Sequence, residues 1–437
     1  MTFSKIKNAF IVLIMTTVLM TSISVALQTR IDFNSKPITV AKNQENISPI
    51  EKIIQNIVDQ IPAASAPLPP QKLSNPPEII KAVYVTGYSA GAKSYLKYLT
   101  NLFKNTEINS VVVDIKGSDG YVTYNSELED VKKYKLTNYA IPNIDELINF
   151  LHDQNIYIIG RIAVFEDPVY SKVKPELAIY NKAKTKDPLK PILWKDNNGI
   201  SWLDPTSKDV WNYNVSLAKD ALYHGFDEIN FDYIRFPSDG KMENIGFPIY
   251  DGKIAKSQAI KNFFHYLRES LPGEKISADL FGLTTVNTDD MGIGQVIENA
   301  LENFDYISPM IYPSHYADGF IGFSNPAEHP YEVVKYSMEN ALSKENNFDK
   351  QRRELVARSG EAVGSPAAIS QLFFPSPVFA PLAKFRPWIQ DFDMGADYTA
   401  EMVKQEIKAT QDSLGSNFSG FMIWNPSNIY TQGVVAR

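Results

Sequence analysis

Cysteine is absent from the 437-residue sequence, and histidine is scarce. Without cysteine, disulfide bonds, thiolate catalysis and zinc–cysteine sites are excluded. The five histidines stand at positions 152, 224, 265, 315 and 329, and none of them are paired at the spacing of metal ligands. We therefore predict no metal site and no cofactor.

Clusters of basic residues are absent as well. The formal net charge is −7 and the isoelectric point is near 5.4, which argues against nucleic acid as a partner. Apolar and aromatic residues are plentiful in contrast: 44% of the residues are hydrophobic, with 24 Phe, 23 Tyr and 5 Trp. This composition supports a large core, and the length fits one large barrel with a leader and a linker.

The first 30 residues predict a signal peptide or a membrane anchor. Lys5 and Lys7 precede an apolar run from position 9 to about position 27, as in a charged n-region followed by a long h-region. The run is also long enough for a single membrane span, so both interpretations stay open. Each predicts a protein that is secreted or anchored to the outer face of the cytoplasmic membrane.

Residues 31–78 predict a proline-rich linker. Prolines cluster at 62–70 and at 75–77, where we expect an extended and exposed chain. Apolar residues at helical spacing predict one short amphipathic helix over 49–61. The globular domain is therefore expected to cover residues 79–437.

From residue 79 onward, strand patterns alternate with helical patterns. The predicted strands cover residues 82–87, 110–116, 157–165, 227–234, 275–281, 306–312, 383–392 and 420–424. The predicted helices cover residues 92–105, 144–154, 207–223, 257–270, 291–302, 331–344 and 398–414. Eight strands with intervening helices indicate an α/β fold, the (β/α)8 TIM barrel. A doubly wound open sheet is the alternative, but the turn after the first strand lacks its phosphate-binding glycine spacing.

The fourth predicted strand lies within Phe226-Asp-Glu-Ile-Asn-Phe-Asp-Tyr-Ile-Arg-Phe-Pro237, a buried pattern that nevertheless carries polar residues. Successive side chains on a strand point to opposite faces. The alternation predicts an outward face of Ile229, Phe231 and Tyr233 and an inward face of Glu228, Asn230 and Asp232. Inward polar residues near the carboxyl end of a barrel strand are typical of an active site, whereas a polar network that only stabilises the fold is the alternative.

Residues suited to chemistry recur near the predicted carboxyl ends of the strands. In chain order they are Asp114 and Lys116, Arg161 and Glu166, Asp232 and Arg235, Asp279, Tyr312, Gln390 and Trp424. Barrel active sites are built at this end. Several carboxylates with aromatic platforms are typical of a carbohydrate site, where one carboxyl group protonates the leaving oxygen and a second acts as nucleophile or base.

Asp232 and Asp279 are the predicted catalytic pair. We expect Asp232 to be the nucleophile or the stabiliser of an oxocarbenium ion, and Asp279 to be the acid/base. Glu166 and Asp114 are the reserves for the second role, and the remaining residues of the set are predicted to bind substrate. A structural salt bridge from Asp279 to Arg161 or Lys116 is the alternative.

Three motifs resemble those of the bacterial "putative glycosyl hydrolase domain" family. They are Phe231-Asp-Tyr-Ile-Arg-Phe-Pro237, Lys81-Ala-Val-Tyr-Val-Thr-Gly87 and Val113-Asp-Ile-Lys-Gly117. The resemblance covers about residues 79–430 and implies a TIM barrel and carbohydrate hydrolysis. A more distant similarity is to family-18 chitinases, but Ile234 stands where their catalytic glutamate would be, so their substrate-assisted chemistry is not carried over.

The function predicted from the sequence is therefore an exported glycoside hydrolase that cleaves the O-glycosidic bonds of a polysaccharide or oligosaccharide with paired carboxylates. Two alternatives stay open. One is a catalytically inactive barrel that binds glycans, which the missing chitinase-type glutamate favours. The other is a lyase or transglycosylase on the same fold.

Overall fold

A computed structural model describes residues 70–361 and 381–435, with backbone only for residues 356–361. Its main sheet contains eight parallel strands, which we label in chain order. They are β1 (Ile80–Val85), β2 (Ser110–Lys116), β3 (Tyr157–Ala163), β4 (Glu228–Asp232), β5 (Lys275–Phe281), β6 (Tyr306–Met310), β7 (Trp388–Gln390) and β8 (Gly420–Trp424).

These eight strands form a closed barrel. Each strand from β2 to β8 pairs with its predecessor, and β8 pairs with β1, where Ile80 is opposite Gly420. The β1–β2 pairing, with Ala82 opposite Ser110, belongs to the same ring. Closure leaves no unpaired edge in the ring, and the prediction of a TIM barrel is confirmed.

Six helices of eight or more residues accompany the strands in the described part of the chain. They are α1 (Lys93–Asn105), α2 (Ile144–His152), α3 (Lys208–Tyr223), α4 (Lys256–Ser270), α5 (Pro330–Glu361) and α6 (Ala400–Leu414). Side chains cap several amino ends: Ser207 accepts from the N–H of Val210 before α3, and Thr399 accepts from the N–H of Met402 before α6. All but α5 lie within two residues of a predicted start and end.

Two apolar layers follow from the alternation along the strands. Ala82, Val112, Ile159 and Met422 belong to a cluster that fills the barrel, while their sequence neighbours pack outward in a larger cluster with the helices. Burial of this apolar surface is the main favourable contribution to folding. Towards the carboxyl ends of the strands, the inward-facing positions are occupied by polar residues instead of apolar ones.

The predicted helix at 291–302 is wrong. Only a 3-10 turn, Ile297–Asn299, forms there, because the backbone has positive φ at Met291 (52°), Gly292 (70°) and Gly294 (85°). A Cβ at Gly294 would lie 2.7 Å from a side-chain carbon of Ile260 and 2.8 Å from a backbone oxygen. Position 294 therefore requires glycine, because the backbone there approaches α4 closely and has a positive φ. This conformation is incompatible with the predicted helix.

Two further predicted elements have different bounds. The helix expected at 331–344 is the much longer α5. The strand expected at 383–392 is split into Lys384–Phe385 and β7, with Pro387 between the two pieces. Proline has no N–H to donate to a ladder, so it interrupts the strand.

The alternation along β4 holds only as far as Asp232. Ile229 and Phe231 are fully buried on the outer side as predicted. The strand ends at Asp232, and Tyr233 has a φ of 52°. This left-handed turn is uncommon for a residue with a side chain, and it breaks the two-residue period. Tyr233 packs against the outer apolar cluster as predicted, but it also lines the cavity described below.

The predicted leader (1–30), most of the linker (31–78) and its helix at 49–61 lie outside the described residues. Within the part that the structure describes, no helix has the length and apolarity needed to cross a membrane.

Candidate active site

A cavity of about 420 Å³ opens at the carboxyl end of the barrel. Its lining combines residues from six strand ends and the loops that follow them: Arg161, Asp232, Tyr233, Arg235, Asp279, Phe281, Gly282, Leu283, Met310, Tyr312, His315, Tyr316, Trp388 and Trp424. Six of the ten predicted site residues belong to this lining, namely Arg161, Asp232, Arg235, Asp279, Tyr312 and Trp424. The other four, Asp114, Lys116, Glu166 and Gln390, do not.

Arg161 joins two carboxylates at the floor of the cavity. Its Nη1 donates to Asp114 Oδ1 at 2.6 Å, and its Nη2 and Nε donate to Asp232 Oδ2 at 2.6 and 3.1 Å. Burial opposes the charge of Arg161, but Asp232 and Asp114 outweigh it and raise the pKa of the guanidinium well above its ordinary value. Asp114 thus does not line the cavity itself, but it binds Arg161, which does.

Both oxygens of Asp232 are engaged. While Oδ2 accepts from Arg161, Oδ1 accepts from the backbone N–H of Tyr233 at 2.6 Å. The residue that donates this hydrogen bond, Tyr233, is also the one in the left-handed conformation. Strained backbone of this kind clusters at functional sites. Asp232 is therefore a fixed anionic partner of Arg161 at the cavity wall.

Asp279 has a different environment, although it lines the same cavity. Its Oδ1 accepts from Asn230 Nδ2 and from Trp388 Nε1, both at 2.8 Å, and its Oδ2 has no hydrogen-bond partner among the described residues. Burial first, and the negative charge of Asp232 second, raise the pKa of Asp279 well above its ordinary value, against the opposing effect of the two donors and Arg161. Asp279 therefore stays neutral over a wider pH range than an ordinary aspartate.

The register of β4 and β5 sets the two carboxyl groups side by side. Phe231 is opposite Ala278, so the next residues, Asp232 and Asp279, lie at corresponding heights. Neighbouring strands are about 4.8 Å apart. The pair is close enough for the charge of Asp232 to raise the pKa of Asp279.

Glu166 lies just after β3 and is buried, and it does not line the cavity. Its carboxyl group makes no hydrogen bond within the described residues. Burial, followed by the charge of Asp196, raises the pKa of Glu166 to about 8, although Arg235 and Arg161 act in the opposite direction. Glu166 is thus a second buried carboxyl group that is neutral near pH 7.

Lys116 and Gln390 have their polar atoms engaged inside the protein. Lys116 Nζ lies 2.7 Å from Asp167 Oδ2, and both side chains are fully buried. The register of β2 against β3 shifts between Asp114 and Lys116, so the inward parity of Asp114 does not extend to Lys116. Gln390 Oε1 accepts from the N–H and the hydroxyl of Ser314 at 3.2 and 2.8 Å and so fixes the loop after β6.

Aromatic rings form one wall of the cavity. Trp424 stacks on Tyr84 with ring centroids 3.9 Å apart and meets Trp388 edge to face at 5.5 Å. Tyr312 meets Phe392 edge to face at 5.7 Å. Flat apolar faces with nearby polar groups are suited to sugar rings.

Sequence reasoning assigned no site residue on β1, yet Tyr84 supports the site from there. Its hydroxyl donates to Asp114 Oδ2 at 2.6 Å, and its ring supports Trp424. Tyr84 shares the inward parity of Ala82 on β1, so the alternation used for β4 could have found it. Tyr233 could not be found in this way, because its position depends on a turn that breaks the alternation.

Within residues 70–361 and 381–435, no group of three or more acidic or histidine side chains could hold a metal ion.

Solved structures that are similar to this chain include several glycoside hydrolases. The glycoside hydrolase domain of PgaB (BpsB) from Bordetella bronchiseptica is 13% identical, covers 80% of this chain and 95% of its own, and superposes with a TM-score of 0.51. At this identity the likeness shows the fold alone. An endo-1,4-beta-mannanase from Rhizomucor miehei is 12% identical over 82% of this chain and 89% of its own, with a TM-score of 0.46.

A hypothetical protein from Ruminiclostridium thermocellum ATCC 27405 is 39% identical; the match covers 48% of this chain and 98% of that protein, with a TM-score of 0.41. No curated protein matches the sequence. The similarity to family-18 chitinases stays a prediction.

The model of one family, described as "Putative glycosyl hydrolase domain", matches residues 82–357 and 375–430. Because this match spans well over half of the chain, the protein belongs to that family, as its motifs predicted.

Proposed function

We propose that the barrel hydrolyses O-glycosidic bonds of a polysaccharide or oligosaccharide, with Asp279 as acid/base and Asp232 as nucleophile. One observation carries the proposal: two carboxyl groups line one cavity in contrasting environments. Asp232 is paired with Arg161, whereas burial and the charge of Asp232 raise the pKa of Asp279. A pair of carboxyl groups whose surroundings separate their protonation states is the arrangement that glycoside hydrolysis requires.

In the first step, the proton of Asp279 passes to the glycosidic oxygen as the bond from that oxygen to the anomeric carbon breaks. Both donors to Asp279 contact Oδ1, so Oδ2 is the oxygen left to carry the proton. Asp232 supplies the electron pair that forms the new bond to the anomeric carbon. Water then attacks that carbon, Asp279 takes up a proton from it, and Asp232 is released.

The spacing of the strands supports retention of anomeric configuration. Retaining enzymes have carboxyl groups roughly 5–5.5 Å apart, and inverting enzymes roughly 6.5–9.5 Å apart. Asp232 and Asp279 extend from corresponding heights on strands about 4.8 Å apart, which favours the shorter separation. The aromatic wall around Trp424 is suited to hold a sugar ring over the pair.

Export is the second part of the proposal. It is supported by Lys5 and Lys7 before the apolar run at positions 9–27 and by the proline-rich stretch that follows. A secreted or outward-anchored protein would meet its polysaccharide outside the cytoplasmic membrane. Protease added to intact cells should degrade an anchored protein, and the culture medium should contain a secreted one; protein found only in the cytoplasmic fraction would refute export.

Hydrolysis is tested by incubating the full chain with a panel of dye-linked and unlabelled glycans. We expect new reducing ends from at least one glycan, with the product anomer of the substrate's own configuration when it is followed by proton NMR. Asp232→Asn and Asp279→Asn are the matched inactive controls. Unsaturated or transferred products would favour a lyase or transglycosylase, and binding without turnover would favour a glycan-binding barrel.

A further inference from the structure

Arg235 is the second arginine of the cavity, and the proposed hydrolysis does not use it. It follows the left-handed turn at Tyr233 by two residues. Its guanidinium carbon lies 4.5 Å from the ring centroid of Phe281 and 4.8 Å from that of Trp202. The residue is only 8% exposed, yet it lines the cavity, so its remaining accessible surface faces the place where we propose a substrate lies.

The hydrogen bonds of Arg235 leave part of its guanidinium unused. Nη1 donates to the carbonyl oxygen of Phe236 at 3.1 Å and to Ser238 Oγ at 3.2 Å. Nε and Nη2 have no hydrogen-bond partner within the described residues, and no carboxylate among those residues lies within ion-pair distance. Arg161, in the same cavity, differs because it pairs with two carboxylates.

The acidic groups around Arg235 act on it only from beyond ion-pair distance. Asp232 is bound to Arg161, and Asp239 accepts from the N–H of Asn197 at 3.0 Å. Glu166 is largely neutral near pH 7, because burial and Asp196 raise its pKa to about 8. Burial lowers the pKa of Arg235, but a guanidinium stays protonated in proteins.

A buried cation without an ion-pair partner is costly unless a ligand supplies one. Two aromatic rings lie against the guanidinium, and its Nε and Nη2 form an edge that matches the two oxygens of an anionic group. We propose that Arg235 forms a subsite for a monoanionic group of the glycan, either a sugar carboxylate or a phosphodiester. The inference rests on the proposed function in taking the substrate to be a glycan, and it narrows the substrate to an acidic one.

The test measures binding separately from hydrolysis. The full chain carrying Asp279→Asn, which should not consume the ligand, is titrated calorimetrically with oligogalacturonates and with hyaluronan tetrasaccharide. Each probe is paired with its carboxyl-reduced counterpart, which has the same rings and no charge. A glycerol-phosphate oligomer is the phosphodiester arm. We expect one anionic probe to bind about 10- to 100-fold more tightly than its neutral counterpart, as for a hydrogen bond to a charged group.

Arg235→Gln should abolish this preference, and Arg235→Lys should keep part of it because the charge remains without the planar fork. Arg353→Gln is the control, since Arg353 pairs with Asp349 on the exposed face of α5. Arg235→Gln binding with an unchanged anionic preference would overturn the subsite. Equal affinity of the Asp279→Asn chain that keeps Arg235 for charged and neutral probes would also overturn the subsite. This second outcome can be measured even if Arg235→Gln fails to fold.

Failure of the subsite and failure of the proposed hydrolysis have different signatures. Hydrolysis of a neutral glycan without any preference for anionic probes would leave the hydrolase standing and refute the role of Arg235. Binding of an anionic probe through Arg235, without turnover by the unsubstituted chain, would support the subsite and refute the hydrolase.

Discussion

The two ends of β4 each hold an inward-facing carboxylate that is paired with an arginine, but their surroundings differ. At the amino end, Glu228 pairs with Arg386, and both side chains are fully buried. Tyr157 also donates to Glu228 Oε2 at 3.3 Å. At the carboxyl end, four residues later, Asp232 pairs with Arg161 in the wall of an open cavity.

The same strand therefore carries one ion pair that is fully buried and one that lines a cavity. In both pairs an inward-facing carboxylate of β4 binds an arginine. At the amino end, barrel layers close over the pair, so no substrate can reach it. At the carboxyl end, the loops after the strands leave room above Asp232 and its neighbour Asp279. The comparison indicates that position along the strand, rather than charge or pairing, separates a fully buried carboxylate from one that lines a cavity.

The largest expected effect is on catalysis at the carboxyl end. Asp279→Asn should lower kcat on an unactivated glycan by about 100- to 10,000-fold, the range attributed to a general acid. It should leave bond cleavage with a dinitrophenyl leaving group nearly intact, because that group needs no proton. Asp232→Asn should lose both reactions. The pre-steady-state burst of dinitrophenol measures bond cleavage separately from the later release of the sugar by water, in which Asp279 also takes part, and kcat measures the loss on the unactivated glycan. Equal losses for both variants in both measurements would contradict the assigned roles.

The next largest effect is on stability at the amino end. Arg386→Met leaves Glu228 buried without its cation, and the free energy of unfolding should fall by about 3–5 kcal/mol. Adding Glu228→Gln should recover part of that loss. Denaturant titration measures both changes. The comparison would break if Arg386→Met reduced kcat in protein that is still fully folded, since that pair lies far from the cavity along the strand.

A third prediction concerns pH. Burial and Asp196 raise the pKa of Glu166 to about 8 in the folded protein, above its value of about 4.3 in an unfolded chain. The folded state therefore binds more protons between these values, and the contribution of Glu166 to stability is lost as pH rises from about 4 to about 8. Glu166→Gln should stabilise the protein at pH 8 by about 4 kcal/mol relative to pH 4. Melting temperatures at both pH values provide the measurement, and an equal shift at the two would refute the assignment.

The smallest effect is expected at Tyr84, which supports both Asp114 and Trp424. Tyr84→Phe removes the hydrogen bond to Asp114 but keeps the ring stack, so the free energy of unfolding should fall by about 1 kcal/mol. Tyr84→Ala removes the stack as well and should raise KM more than it lowers kcat. Tyr95→Phe is the matched control, because Tyr95 donates to the carbonyl oxygen of Asn428 away from the cavity.

Most of the barrel was predictable because its strands and helices carry strong local patterns. The strand bounds at 110–116, 275–281 and 420–424 agree with the structure at both ends. The failures lie where a contact distant in sequence overrides the local pattern. The helix expected at 291–302 is lost because Gly294 packs against α4, and Lys116 leaves the inward face where the ladder with β3 shifts.

The sequence by itself determined that strands alternate with helices along the chain and that Asp232 and Asp279 point inward. Both properties depend on side-chain periods of 2 residues in strands and 3.6 residues in helices. Tertiary structure alone decided which charges meet: Arg161 pairs with Asp114 and Asp232, whereas Arg235 meets aromatic rings and no carboxylate within the described residues. The physical reason is that pairing and burial depend on distances between strands. Pairing and burial in turn determine the pKa of a carboxyl group and whether a buried cation requires an anionic ligand.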